Sequence, residues 1–374
     1  MDALIVAALG VALLALVIFP EQTVSAAQAG LKLCANAIIP SLFPFFVLSS
    51  LIADTGAARY IGRLLEPVMR PLFGVGGGCA AAFALGFVGG YPVGARTVIS
   101  LYENGTCSKV EAERLLSFCN NSGPAFIFGI VGAGVFSSGK IGLLLYLVHS
   151  VASILVGILF RRWGKNAPPA EQSCEPYRAP EMSFSSAFTS AIRSAVSSSL
   201  NICGFVIFFS IFIKLLFSSG LIPAIAGFFG MVFAPTGFDE VWVERLLTGI
   251  IELTSGVWTL RGIEGRITGS VAMAAFMLGW AGLSVHSQVL SFIGASGLSV
   301  RTYIIGKLLQ GVISAGFVLI ISRVMTLDVT AAYLARQVSD ITSIGFANSL
   351  QISTFGAAIL LSVVLIAAKS GKRY

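Results

Sequence analysis

Charge is what this chain holds least of. Its 374 residues include 24 lysines and arginines against 17 aspartates and glutamates, 11% charged in all, where a soluble domain carries about a quarter. So few solvated side chains cannot cover a water-facing surface, and 56% hydrophobic residues describe an integral membrane protein. Histidine is nearly absent, with His149 and His286 alone, and no H-E-x-x-H is written, which leaves zinc-peptidase chemistry without ligands. The six cysteines (Cys34, Cys79, Cys107, Cys119, Cys174, Cys203) form no C-x-x-C pair. A structural zinc site and a thioredoxin-type motif are therefore excluded, and such residues serve as small apolar packing groups. No motif calls for a metal or cofactor. The formal charge of +7 comes from basic residues dispersed at segment ends without interleaved aromatics, a membrane-topology pattern and not a nucleic-acid footprint.

What the chain has instead is long apolar sequence with breaks in it. Ala3 to Phe19 is apolar; Val24-Ser25-Ala26-Ala27 beyond it could serve as a cleavage site, but Met1-Asp2 lacks the basic start of a secretory signal, so a retained first helix is the preferred reading. A moderately polar stretch, Glu21 to Ile39, leads into Ser41 to Ala53, which is shorter than the about 20 residues that a span requires. Arg59, Arg63, Glu66 and Arg70 alternate with Ile61, Leu64, Leu65 and Val68 as an interfacial helix requires. Val75 to Phe87 stops at Gly89-Gly90-Tyr91-Pro92 and resumes as Val93 to Leu101, which predicts a re-entrant hairpin. Lys109 to Leu116 precedes a second break, Asn120-Asn121-Ser122-Gly123-Pro124, and Ile141 to Phe160 is an uninterrupted span.

A polar linker rich in proline, Arg161 to Glu181, divides the chain. Beyond it the order recurs: an amphipathic stretch with Arg193, a short apolar run from Ile202 to Phe217, an interfacial piece ending at Pro235, a hairpin broken at Glu252-Leu253-Thr254-Ser255-Gly256, a helix broken at Gly279-Trp280-Ala281-Gly282-Leu283-Ser284, and a span from Tyr303 to Ile321. Gly56 and Gly220, Ile61 and Ile225, and Pro71 and Pro235 keep one common offset, as an internal repeat would. Placing the linker and the basic tail in the cytoplasm puts most lysines and arginines on that side only if the halves are inverted, with Lys307 left inside a span. The expected class is an all-α polytopic membrane protein: inverted repeats with re-entrant helical hairpins and broken transmembrane helices. The expected divisions are 1–20 (first helix), 21–162 (first repeat), 163–182 (linker), 183–323 (second repeat) and 324–374 (outer loop, last helix and basic tail).

Unwound backbone at membrane depth is tolerated where protein or a wet cavity satisfies it, so the four breaks point to a ligand pathway. Pro92 and Pro124 are expected to open half-helices, leaving the amides of Val93 and Gly94 to favour an anionic group. Arg96, one turn on, is a candidate to pair with a carboxylate. Gly89, Gly90, Tyr91, Pro92, Arg96, Asn120, Asn121, Ser122, Gly123, Thr254, Ser255, Gly282 and Ser284 form the candidate substrate site. Ser287 and Gln288 supply further neutral groups, and Tyr91 and Trp280 are rings on which a planar cargo could stack. Glu252, isolated in apolar sequence, must be protonated, paired or wet. As the end of the first hairpin arm it would face a negative helix terminus and carry a coupling proton or sodium ion, with a structural partnership to Thr254, Ser255 or a basic side chain as the plainer alternative. His286 is a candidate relay to it.

Leu42-Phe43-Pro44-Phe45-Phe46, Gly89-Gly90-Tyr91-Pro92-Val93-Gly94-Ala95 and Asn120-Asn121-Ser122-Gly123-Pro124-Ala125-Phe126 resemble the YlbJ family of sporulation integral membrane proteins, within the nucleoside-recognition Gate-domain membrane proteins. The resemblance covers roughly Gln22 to Arg323. It implies a fold similar to concentrative nucleoside transporters, a place in the cell or forespore membrane, a role in endospore formation and an aromatic dicarboxylate, dipicolinate, as cargo. Nucleoside transporters carry Gln-Thr-Glu at the first hairpin tip where this chain has Gly90-Tyr91-Pro92; Glu252-Leu253-Thr254 is closer to an acidic second tip. Nucleoside transport and a non-transporting scaffold in spore-envelope assembly are the alternatives, and homo-oligomerisation is left open. Gly294-Ala295-Ser296-Gly297 matches the G-x-S-G of rhomboid proteases, whose catalytic histidine lies on a later helix. Here both histidines precede Ser296, which argues against an enzyme.

Overall fold

Proline and glycine decide where the helices stop in the computed structural model, which describes residues 2–55, 65, 67–164, 184–263 and 267–324. Helix α1 (Asp2–Ile18) is followed by α2 (Pro20–Leu33) at a bend of 97°. Pro20 takes the first turn of α2, where a missing N–H costs nothing. Helix α2 does not end as the sequence suggests. It continues through a π-helical turn, Cys34–Ile38, into α3 (Ile39–Asp54), so the short apolar run after Ser41 is the far end of one long helical stretch. The wide turn sits just before Pro40, whose absent N–H releases the hydrogen-bond ladder at that level.

The first hairpin follows a bend of 96° between α4 (Pro67–Phe73) and the helical stretch that becomes α5 (Ala80–Val88). Its return arm is α6 (Val93–Glu103). Helix α7 (Lys109–Leu116) opens with a reciprocal cap between Ser108 and Glu111, a local signal worth about 1 kcal/mol. After the break at 117–124 the chain winds as a π-helical segment, Ala125–Val135, before the 22-residue α8 (Gly139–Phe160).

The second half repeats this order. The 35-residue α9 (Phe184–Ser218) fuses the two stretches that the sequence divided, as α2 and α3 are fused in the first half. Then come α10 (Leu221–Phe233), the hairpin of α11 (Glu240–Ile251) and α12 (Leu253–Trp258), the interrupted pair α13 (Thr268–Trp280) and α14 (Gly282–Ser296), and α15 (Val300–Ile321). Four stretches are long and apolar enough to cross a bilayer: α8, α9, Thr268–Gly294 and α15, or up to six if each bent pair is one span, among the described residues. The proposed interfacial residues Arg59, Arg63 and Glu66, most of the linker and the region 325–374 lie outside the described residues.

The halves pack through each other. Helices α2 and α3 lie along α9, and α15 lies between α13 and α8. One buried apolar cluster joins the π-helical segment and α8 to α12 and α13; a second joins the first hairpin and α7 to α14 and α15. Each core thus draws on both halves, and the breaks are held at their common centre.

Candidate functional site

Each hairpin tip abuts the interrupted helix of its own half. A Cβ on Gly90 would stand 3.0 Å from the amide nitrogen of Gly123, and one on Gly123 would stand 3.1 Å from the Gly90 Cα. Gly90 also has φ +73°, so glycine is required there by space and by backbone conformation. In the second half a Cβ on Gly282 would stand 2.9 Å from the amide of Leu253.

A cavity of about 650 Å³, counting the space at its mouth, opens where these junctions meet. The first half contributes Gly89, Gly90, Tyr91, Ser122 and Gly123; the second contributes Glu252, Leu253, Thr254, Ser284 and Gln288. Phe45, Phe46 and Ile38 from the first long helical stretch, with Phe205 and Val206 from α9, form the opposite wall. The walls are apolar and aromatic, and the polar groups come from the tips and breaks, the usual division of labour in a small-molecule site. Ser122 Oγ is buried there without a hydrogen-bond partner among the described residues. An orphaned hydroxyl in a cavity wall is costly unless a ligand or water completes it.

Behind the first break lies a buried polar network. Lys307 on α15 is fully buried; its Nζ donates to Gln310 Oε1 at 2.7 Å, to the Asn120 carbonyl at 2.9 Å and to Tyr91 Oη at 3.4 Å. Gln310 Nε2 donates to Asn121 Oδ1 at 2.8 Å, and Asn121 Nδ2 donates to the Phe118 carbonyl at 2.8 Å and to Ser153 Oγ at 3.2 Å. The amide of Ser122 donates to His149 Nε2 at 3.1 Å. Two asparagines, a histidine, a glutamine and a lysine hold the unwound segment in one conformation, as buried polar groups must if they are to be satisfied.

Several expectations change in detail. Pro92 precedes α6, but the Val93 amide donates to the Gly90 carbonyl at 2.9 Å and the Ala95 amide faces Asn120 Oδ1 at 3.4 Å, so the Val93 amide is not free for an anion. The tip closes on itself because the left-handed Gly90 turns its carbonyl back toward the helix. Pro124 likewise lies outside the cavity lining, with the Phe126 amide returned to the Gly123 carbonyl. Arg96 is exposed on the outer face of α6 and does not line the cavity, while its neighbours Gly94 and Ala95 take the buried face.

Glu252 does line the cavity and ends α11 as expected, but its carboxylate is turned to the positive end of α12. It caps α12, accepting from the amides of Thr254 at 2.9 Å and Ser255 at 2.6 Å, the plainer of the two readings. His286 Nδ1 lies 2.9 Å from Tyr303 Oη and its ring packs edge-on against Trp280; these contacts give it no direct relay to Glu252. Trp280 Nε1 donates to the Ile250 carbonyl at 3.1 Å, so this ring ties α13 to α11 and does not stack in the cavity. Tyr91 stays at the cavity, its hydroxyl donating to the Leu278 carbonyl. Asn120, Asn121, Ser255 and Gly282 support the site from behind. Ser296 Oγ donates to the Ile293 carbonyl at the end of α14, while His149 and His286 are engaged elsewhere.

The sequence reading missed the importance of Lys307, Gln310 and the phenylalanine wall. A lysine and a glutamine three residues apart inside an otherwise apolar span were the available signal, since an ionisable group at that depth marks function by default.

Two hairpins whose tips meet two interrupted helices around a central cavity define a transporter-type integral membrane protein. The Gate family model, described as nucleoside recognition, matches residues 36–139. The chain is 32% identical over 322 residues to the sporulation integral membrane protein YlbJ of Bacillus subtilis (strain 168), covering 81% of this chain and 78% of that protein. It belongs to the YlbJ family of sporulation integral membrane proteins. Two solved structures of a variant of the concentrative nucleoside transporter CNTnw, in its intermediate 2 and intermediate 3 states, share the fold, with TM-scores of 0.54 and 0.53 at 14% identity. They cover 78% and 79% of this chain and 76% and 77% of their own. The architecture is therefore all-α and polytopic, with inverted repeats and broken transmembrane helices.

Proposed function

We propose that this protein is a secondary transporter of a small anionic metabolite, with an aromatic dicarboxylate such as dipicolinate as the cargo, acting in the cell or forespore membrane during spore formation. The observation that carries this reading is the pairing of an aromatic cavity with a buried lysine directly behind its Tyr91 wall. Lys307 Nζ lies 5.0 Å from the centre of the Tyr91 ring, and all its partners among the described residues are neutral oxygens. In its ammonium form it would have no counter-charge among these partners and would favour an anion in the adjoining space. Phe45, Phe46 and Phe205 suit a planar ring, and Ser122, Thr254, Ser284 and Gln288 offer hydrogen bonds to carboxylates.

Glu252 sets a condition on such a cargo. Its carboxylate is partly satisfied by two amides, yet it borders the same cavity. An anion and a negative Glu252 would repel in so small a space, so a proton taken up by Glu252 together with the anion is the coupling that fits. The hairpins would be re-entrant and would move with their breaks against the wall formed by α3 and α9.

A nucleoside is the second cargo reading, supported by the description of the Gate family and by the neutral hydrogen-bonding groups in the cavity. Thermal stability of the purified protein against dipicolinate, other dicarboxylates and nucleosides, followed by uptake into proteoliposomes, separates the two. Saturable stabilisation and uptake of dipicolinate are expected. Stabilisation by nucleosides alone would overturn the anion reading. Full support of sporulation by transport-null variants at Gly90, Asn121 or Glu252 would favour a scaffold and overturn transport itself.

A further inference from the structure

We propose that Lys307 is a tethered cation. It takes the position that a dissociable monovalent cation would otherwise fill at the first helix break, and it latches the first hairpin tip and that break to α15. The proposal deepens the transport reading, on which it rests for its meaning but not for its test.

An interrupted helix leaves carbonyl oxygens without amides, and away from water these need a donor or a cation. At the first break the Asn120 carbonyl is such an oxygen, and Lys307 Nζ reaches it at 2.9 Å. Two more oxygens complete the shell: Gln310 Oε1 at 2.7 Å and Tyr91 Oη at 3.4 Å. A protonated lysine has three N–H groups and no acceptor, so three oxygen acceptors match it one for one. The Gln310 carbonyl oxygen is fixed toward Nζ because the same amide donates through Nε2 to Asn121 Oδ1. The Tyr91 ring adds a cation–π contact.

A backbone carbonyl, an amide oxygen and a hydroxyl are hard oxygens of the kind that unwound transporter helices turn toward a monovalent cation. Here the cation arrives on a side chain, from a helix whose backbone presses on the chain just before the break: a Cβ on Gly306 would collide with the Ser117 carbonyl. The three oxygens come from three separate parts, the hairpin tip (Tyr91), the unwound segment (Asn120) and α15 (Gln310), so one ammonium group ties all three together, beside the Asn120 side chain, which accepts from the Ala95 amide and donates to Tyr303 Oη. In the second half neutral donors do this work: the Leu278 carbonyl at the break receives Tyr91 Oη, and the Ile250 carbonyl near the end of α11 receives Trp280 Nε1. The cation is a device of the first break. It follows that the protein holds its tip without bound sodium or potassium.

The test uses the purified full-length protein in nanodiscs, with no cargo present, so that it stands or falls separately from the transport reading. Thermal midpoints are compared in choline chloride, sodium chloride, potassium chloride and propylammonium chloride at fixed ionic strength, for the native protein, Lys307→Ala and Lys307→Arg. The native protein is expected to be indifferent to the cation. Lys307→Ala is expected to lose several degrees and to recover at least half of the loss in a saturable response to propylammonium, which can enter the vacated volume; Lys307→Arg should keep most of the stability.

A saturable sodium or potassium response of the native protein overturns the proposal, as does a Lys307→Ala protein that matches the native midpoint in every salt or is destabilised and gains nothing from propylammonium. If Lys307→Ala does not fold, the native response and that of Lys307→Arg decide the matter: a native protein blind to cations with a stable arginine variant supports it, and an alkali-ion response in either overturns it.

Discussion

Tyr91, at the tip of the first hairpin, donates its hydroxyl to the carbonyl of Leu278, on the interrupted helix of the second half. This bond crosses between the two repeats at the edge of the cavity, and the same hydroxyl accepts from Lys307. Tyr91 therefore reports on both halves at once. Tyr91→Phe keeps the ring against Lys307 while removing the oxygen, leaving a carbonyl at the break and one lysine N–H unpaired. The expected loss is about 1–3 kcal/mol of stability, read by chemical denaturation, with a larger fall in uptake than the stability change explains.

The contact between Gly90 and Gly123 predicts a second outcome. A methyl group on Gly123 meets the Gly90 Cα at 3.1 Å and its nitrogen at 3.2 Å, and neither atom belongs to a flexible side chain. Gly123→Ala should cost about 1–3 kcal/mol as an overpacked contact. Gly90→Ala should cost at least as much, because its φ of +73° adds left-handed strain of about 1–2 kcal/mol. Comparing denaturation midpoints of the two variants checks the ordering.

Arg96 tests the departure from the sequence reading. Its guanidinium is exposed on the outside of α6 and the cavity has no part in it. Arg96→Ala is expected to leave cargo affinity within about twofold and stability within about 0.5 kcal/mol, as an exposed substitution does. A tenfold loss of affinity in direct binding would return Arg96 to the site.

How much of this was legible in the sequence follows from what each signal measures. Four stretches of glycine, proline and small polar residues in apolar sequence mark where hydrogen bonds along a helix are interrupted. Their positions emerge as two tips and two breaks because glycine and proline act locally. Gly89, Gly90, Tyr91, Ser122, Gly123, Glu252, Thr254 and Ser284 are all in the cavity wall. Side-chain direction was not legible in the same way: Arg96 and Trp280 lie near the breaks in sequence but do not line the cavity, because which helix face is turned to it is set by tertiary packing. The opposite wall was invisible too, because Phe45, Phe46 and Phe205 differ in no local respect from phenylalanines that face lipid. Only the packing of α3 on α9 selects them. Lys307 was visible as an oddity within a span, but its partners are far away in sequence, and distance along the chain hides a tertiary cluster.

Glu252 offers a separation of stability from coupling. Its two carboxylate oxygens cap α12 at Thr254 and Ser255. Glu252→Gln keeps one acceptor, presents an NH₂ group to the other amide and removes the charge at a helix N-terminus, for an expected cost of about 0.5–2 kcal/mol. If the carboxylate also carries the coupling proton, uptake by the folded variant should lose its dependence on the proton gradient while exchange of cargo at equal concentrations continues. Uptake that still follows the gradient in proteoliposomes would confine Glu252 to capping.

Ser122 separates cargo contact from folding most cleanly. Its amide is held by His149 Nε2, so the backbone position does not depend on the side chain, while its buried hydroxyl in the cavity wall has no partner among the described residues. An unpaired buried hydroxyl contributes no hydrogen bond and costs about 1–3 kcal/mol in lost solvation. Ser122→Ala should therefore leave stability unchanged or raise it by up to about 1 kcal/mol. The same change removes a hydrogen bond that the cargo would complete, and affinity should fall about 5–20-fold, the equivalent of a charge-assisted bond to a carboxylate partly offset by the relieved desolvation. A purely structural serine would move both quantities in the same direction. Denaturation and isothermal titration on one preparation distinguish the cases, since only a cargo-binding hydroxyl gives a protein that is at least as stable and binds less tightly.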